Sequence, residues 1–145
     1  MNNNMRLEFN AISENEKFAR TAVAAFVTQL NPTLDEIEDI KAAVSEAVTN
    51  AIIHGYKDSC GTVVVSCVMT ENTVEIVISD KGCGIENIEL ARTPLYTCAE
   101  DSERSGLGFT VMETFMDNVT VESDFGKGTT VTLTKSFTKP SPSSL

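Results

Sequence analysis

Apolar and polar positions alternate at the start of the chain and then change period. "MRLEFNA" alternates and reads as a first strand. In "SENEKFARTAVAAFVTQL" the period becomes helical: Phe18, Ala22, Phe26 and Leu30 recur every four residues and can share one packing face. Ser13 followed by Glu16 is a capping-box signature at the start of that helix. "NPT" breaks the pattern, and Thr33 with Glu36 opens a second helix over about 34–54 in the same way. Its core stripe is Ile40, Val44, Val48 and Ile52, and Gly55 closes it. "TVVVSCVM" and "TVEIVISD" follow as a hairpin rich in β-branched residues, joined through "TEN". Residues 81–106 are rich in glycine and charge, with one short helical turn near "IENIELA". A further helix begins around Leu107 and runs through "GFTVMETFM". Two closing strands, "NVTVES" and "TTVTLTKSF", flank the turn "DFGKG". The tail "TKPSPSSL" is polar and contains proline, a composition that predicts disorder. This succession predicts an α+β fold: a two-layer α/β sandwich in which helices cover one face of a mostly antiparallel mixed sheet. One domain is expected over residues 1–137, with a disordered tail over 138–145.

Composition narrows the class. A chain of 145 residues, 41% hydrophobic and 22% charged, suits one soluble domain with its own core. Eleven Lys and Arg against twenty-one Asp and Glu leave a formal charge of −10. That balance argues against direct nucleic-acid binding, which needs a clustered positive surface. A nucleotide, which needs only local donors and a metal, stays open, as does a basic protein partner. "MNNNMRLEF" lacks the apolar core of a signal peptide, and no apolar run is long enough for a membrane span, so a cytoplasmic protein is expected. Cys60, Cys67, Cys83 and Cys98 show neither C-x-x-C spacing nor a compact cluster, which fits reduced thiols there.

Four segments carry candidate chemistry. In "SEAVTNAIIHG", Glu46, Asn50 and His54 stand four residues apart and so stack along one helix face. Such a row is either a solvated stripe or the wall of a cleft. In a cleft, the Asn50 amide oxygen is a hard ligand suited to Mg²⁺, and Glu46 one turn away can accept a proton from an attacking hydroxyl. In "ISDKGCGI", Asp80 shares its strand face with Val74, Ile76 and Ile78, so it extends from the inward face at the strand end. An inward carboxylate needs donors, and the amino group of an adenine supplies one, while Gly82 and Gly84 let a base approach the backbone. A plain turn is the alternative. "ERSGLGFTVM" leads two glycines into a helix start, where free backbone N–H groups meet phosphate, although it matches neither a Walker A loop nor G-x-G-x-x-G after a first strand. In "GKGTTVTL", Thr129 shares strand parity with Val131 and Leu133, which turns its hydroxyl inward, beside Asp80 if the strands adjoin.

Each segment alone also has an ordinary structural account, but their order along the chain is specific. A carboxylate–amide helix, an Asp-x-Gly-x-Gly turn, a Gly-x-Gly helix start and a Gly-Thr strand in succession resemble the ATP-binding fold shared by gyrase, a heat-shock chaperone, histidine kinases and MutL (the GHKL group). Within it, "VSEAVTNAIIHGY", "SERSGLGFTVMETFMD" and "GTTV" are most similar to the anti-sigma F factor family, serine protein kinases of endospore-forming bacteria. The resemblance implies ATP/ADP and Mg²⁺ as ligands, with Asn50 on the metal and Glu46 as catalytic base. It places Asp80 on adenine with Gly82, Gly84 and Thr129 nearby, and Gly106 and Gly108 along the phosphates with Ser105 and Leu107 beside and between them. "ARTPLYTCAEDSERS" becomes a lid, and Arg104 at its end is assigned to the γ-phosphate or to the protein substrate. His54 is no phosphoacceptor by the same comparison. The implied partners are a sporulation sigma factor, an anti-anti-sigma protein phosphorylated on serine, and a second copy of the chain in a homodimer. A nucleotide-switched sigma-binding module with negligible kinase activity is the alternative. The catalytic domain of a histidine kinase fits less well, because no helical hairpin bearing a phosphoacceptor His precedes the domain.

Overall fold

The computed structural model describes residues 2–55, 61–81, 107–124 and 128–137. Among the described residues, five strands and three α-helices follow one another: β1 (Asn2–Asn10), α1 (Glu14–Val27), α2 (Leu34–Asn50), β2 (Thr62–Thr70), β3 (Thr73–Asp80), α3 (Leu107–Phe115), β4 (Asn118–Asp124) and β5 (Gly128–Ser136). The strands form one open sheet in the order β1-β2-β3-β5-β4. Every pairing among the described residues is antiparallel, so the mixed character expected of the sheet finds no parallel pair there. The expected tail, residues 138–145, and the helical turn near "IENIELA" lie outside the described residues.

Strand alternation sets the layers. Rows of inward side chains cross the sheet in register: Leu7, Val65, Ile78, Val131 and Val121 in one row, Met5, Cys67, Ile76, Leu133 and Val119 in the next. The helices supply the other half of the core through Ala19, Val23 and Val27 of α1, Ile40, Val44 and Val48 of α2, and Met112 of α3. Ile40, Val44, Val48 and Ile52 are all buried, as the stripe on the second helix requires. Three asparagines do not favour a strand, yet β1 starts at Asn2, three residues before "MRLEFNA". Its nine residues pair throughout with β2, and the ladder overrides the local preference.

Two helix-level expectations need correction. On α1 the core face is Ala19, Val23 and Val27, one position on from the row beginning at Phe18. Small and β-branched side chains let α1 come close to α2, whereas Phe18 stays 53% exposed and meets Phe9 edge-on at 6.5 Å. Phe26 and Leu30 reach the core only from its margin. The Ser13 capping box does not form either. Ser13 already has helical angles (φ −60°, ψ −29°), and its carbonyl, not its hydroxyl, accepts the Glu16 N–H at 3.2 Å. At Thr33 the backbone is extended, and both bonds of the box are made: Glu36 N–H donates to Thr33 Oγ1 at 3.1 Å, and Thr33 N–H to Glu36 Oε1 at 2.8 Å.

Candidate functional site

Helix α2 does not end at Asn50. It continues through one wide π turn, Ala51–Gly55, which packs against β3 and β5. Such turns recur at functional sites because they re-aim the side chains around them. Here the change of pitch falls immediately after Asn50. Glu46 and Asn50 are both half-buried and lie on the α-helical part, one turn apart. His54 belongs to the backbone of the π turn.

The strands beneath bring the next pair together. Asp80 is the last residue of β3, faces inward and is 9% exposed. Its register partner is Thr129 of β5, and the partner of Thr129 on β4 is Ser123. The Thr129 and Ser123 hydroxyls are 2.9 Å apart, and Ser123 Oγ also donates to the Gly128 carbonyl at 3.2 Å. A carboxylate and two hydroxyls therefore form one polar row across three strands, at the edge of an otherwise apolar face. Such a row can accept a hydrogen bond from the amino group of a planar base and return one from a hydroxyl.

Gly128 makes that row possible, and the sequence reading missed it. Its φ is +113°, and a Cβ there would stand 2.2 Å from the Asp80 carbonyl oxygen and 2.7 Å from Lys81 Cα. β5 can thus press on the end of β3 only with glycine at this point. The signal was present in "GKGTTV", where a glycine directly precedes the inward threonine.

Helix α3 supplies the third wall. It packs along α2, and Lys135 fixes their relative direction. Lys135 is an inward, buried residue of β5 whose Nζ donates to the carbonyl of Phe115, the last residue of α3, at 2.7 Å. The same Nζ lies 3.7 Å from Asp39 Oδ2, near the start of α2. The end of α3 therefore sits beside the beginning of α2, and the helices run antiparallel. From Phe115 back to Leu107 is about 12 Å at 1.5 Å per residue. The same distance along α2 from Asp39 reaches the turn that holds Glu46 and Asn50. The start of α3, at Leu107 and Gly108, is thus the end directed toward the half of α2 that carries the carboxylate–amide row, and its first backbone N–H groups are those a helix leaves without internal partners. Gly82, Gly84, Arg104, Ser105 and Gly106 lie outside the described residues. Among the described residues no helix is long and apolar enough to cross a membrane.

Comparison with known proteins agrees with this arrangement. A family model described as the histidine kinase-like ATPase domain matches residues 9–135. Anti-sigma F factor of Clostridium beijerinckii is 60% identical over 136 residues, covering 93% of this chain and 95% of the relative. The protein of the same name from Bacillus subtilis is 53% identical over 140 residues, 96% of each. In a crystal structure of the RsbU and RsbW domains of a Mycobacterium tuberculosis protein, the same fold recurs with a TM-score of 0.70 and 20% identity, over 96% of this chain and 33% of that one. The ATPase-like domain implies nucleotide binding, and the sheet, the helices and their order are those of the GHKL fold. This chain belongs to the histidine kinase-like ATPase domain family and, within it, to the anti-sigma F factors.

Proposed function

We propose that this anti-sigma factor sequesters a sporulation sigma factor and is also an ATP-dependent protein serine kinase acting on an anti-anti-sigma partner, working as a homodimer in the cytoplasm. The kinase reading is supported by the packing of α3 along α2, the helix that carries Glu46 and Asn50 one turn apart, and by the inward pair of Asp80 and Thr129 at the end of the sheet. Asp80 accepts the amino group of adenine, with Thr129 beside it and Gly128 keeping the backbone close; Gly82 and Gly84 complete the base site. The N–H groups at Gly106, Leu107 and Gly108, with Ser105, take the phosphates. Asn50 offers its amide oxygen to Mg²⁺, which when bound neutralises phosphate charge; a single hard protein oxygen next to phosphate is the donor set this ion accepts. Arg104 serves the γ-phosphate or the protein substrate. Glu46 takes the proton of the substrate serine as its oxygen forms a bond to the γ-phosphorus. The bond from that phosphorus to the β-bridging oxygen breaks, and ADP leaves.

Phosphoryl transfer asks little covalent chemistry of the protein, so positioning and a base suffice. The test is Glu46→Gln with labelled ATP and the anti-anti-sigma partner. Nucleotide binding should persist while labelling of the partner falls by about a hundredfold or more. Undiminished labelling by the variant removes Glu46 from the mechanism. An unlabelled partner with the unmodified chain leaves a nucleotide-switched sigma-binding module instead.

A further inference from the structure

A buried lysine at the far end of β5 is not used by the kinase reading. Thr129 and Lys135 share the inward face of β5, separated by six residues, or about 20 Å of strand. Lys135 therefore stands well away from a base held at Asp80 and Thr129. Its Nζ instead joins three elements: it sits on β5, donates to the last carbonyl of α3 and faces the carboxylate of Asp39 on α2. A cation at that point complements the negative end of the α3 dipole and satisfies one of its orphan carbonyls. Asp39, Glu46 and Asn50 stand seven and four residues apart, so the residue that holds Lys135 and the two proposed catalytic groups share one side of α2. Asp117 reinforces the anchor just after α3, where its N–H donates to the Thr134 carbonyl and its carboxylate accepts the Ser136 N–H.

We infer that Lys135 is a positioning residue: by pinning the end of α3 to α2 and β5, it sets where the opposite end of α3 stands relative to Glu46 and Asn50. α3 has only nine residues, about 13 Å, so a shift at one end is passed to the other with little room for bending. The inference rests on the nucleotide reading above, because it concerns the wall assigned to phosphate. It also separates two parts of the ligand. The proposed base site draws on Asp80 of β3 and Thr129 of β5 and on no residue of α3, whereas the proposed phosphate site uses the start of α3.

The experiment compares adenosine and MgATP binding to the full chain by calorimetry and nuclear magnetic resonance titration. Lys135→Met keeps the length and apolar stem but loses the charge and its donors. MgATP affinity should fall about tenfold and adenosine affinity stay within about twofold, with Lys135→Arg restoring most of the loss. Asp39→Asn, which spares the bond to Phe115, should change the ratio of the two affinities by about threefold in the same direction. A role confined to general stability would lower the melting temperature without moving that ratio. An unchanged ratio in folded Lys135→Met overturns the inference and leaves the nucleotide reading standing. If Lys135→Met does not fold, an unchanged ratio in Asp39→Asn does the same. If the unmodified chain binds no MgATP, the nucleotide reading fails first and carries this inference with it.

Discussion

At the scale of single residues, the site depends on one position without a side chain. Gly128 combines a left-handed φ of +113° with a backbone so close to β3 that an added Cβ would stand 2.2 Å from the Asp80 carbonyl oxygen, so any side chain must push β5 off the end of β3. Gly128→Ala should cost about 2–4 kcal/mol in denaturant unfolding and weaken nucleotide binding further than Thr129→Ala does. Equal stability of the variant and the parent would contradict the close approach. Cys67 makes a different kind of prediction. Burial pushes its thiol up to about 12 from an ordinary 9.0. The folded chain therefore keeps this proton where the unfolded chain releases it, and the stability present below pH 9 is lost as pH rises towards 12. Between pH 9 and about 10.5, unfolding free energy should fall less steeply in Cys67→Ala than in the parent, by about 1 kcal/mol per pH unit. The inward direction of Asp80 and Thr129 was legible because strand parity is a strict period of two. Their adjacency was not, since it depends on β5 skipping past β4 to pair with β3. Lys135 shares the parity of Val131 and Leu133 and was equally legible as an inward lysine, but its partners Phe115 and Asp39 are far away in sequence.

At the scale of elements, local chemistry decided the outcome only where the backbone was free to use it. Two sites with the same capping-box pattern behave differently: Thr33 sits in extended backbone and makes both bonds, while Ser13 is already helical and makes neither. Thr33→Ala should therefore lower stability by about 1 kcal/mol, and Ser13→Ala by a few tenths at most, read from paired chemical denaturation curves. The two-residue turn between β2 and β3 offers a gain instead. Glu71 has φ 57°, where a side chain is strained, and Glu71→Gly should stabilise the hairpin by about 0.5–1 kcal/mol. Element types and order followed from periodicity because helix and strand periods differ sharply here. The buried face of α1 did not. Two four-residue rows run side by side on that helix, and apolar character alone favoured the phenylalanines, whereas packing against α2 favoured the smaller Ala19, Val23 and Val27. Closeness between helices outweighed the larger area an aromatic row could bury.

At the scale of the whole molecule, the proposed pocket is a junction, and its ligand should act on stability as well as chemistry. Its walls come from β3, β5, α2 and α3, so a nucleotide held among them binds the folded chain and not the unfolded one. At a hundredfold excess over its dissociation constant, such a ligand adds about 2.7 kcal/mol. For a chain of this size that is a rise of about 5–10 °C in melting temperature. A net charge of −10 opposes a polyanionic ligand unless a cation accompanies it, so chelating magnesium should remove most of the rise. The base should matter through Asp80. Guanine presents a carbonyl oxygen where adenine presents an amino group, which would set an acceptor against a carboxylate; MgGTP at the same concentration should give less than about a third of the rise seen with MgATP. Asp80→Asn should remove the preference for ATP, and Glu46→Gln should leave the rise in place because its proposed work begins only at transfer. Differential scanning fluorimetry with these two nucleotides, with and without chelator, reads all of these outcomes from one set of melting curves. Equal shifts for ATP and GTP in the parent chain would mean that the row of Asp80, Thr129 and Ser123 is structural rather than a reader of the base.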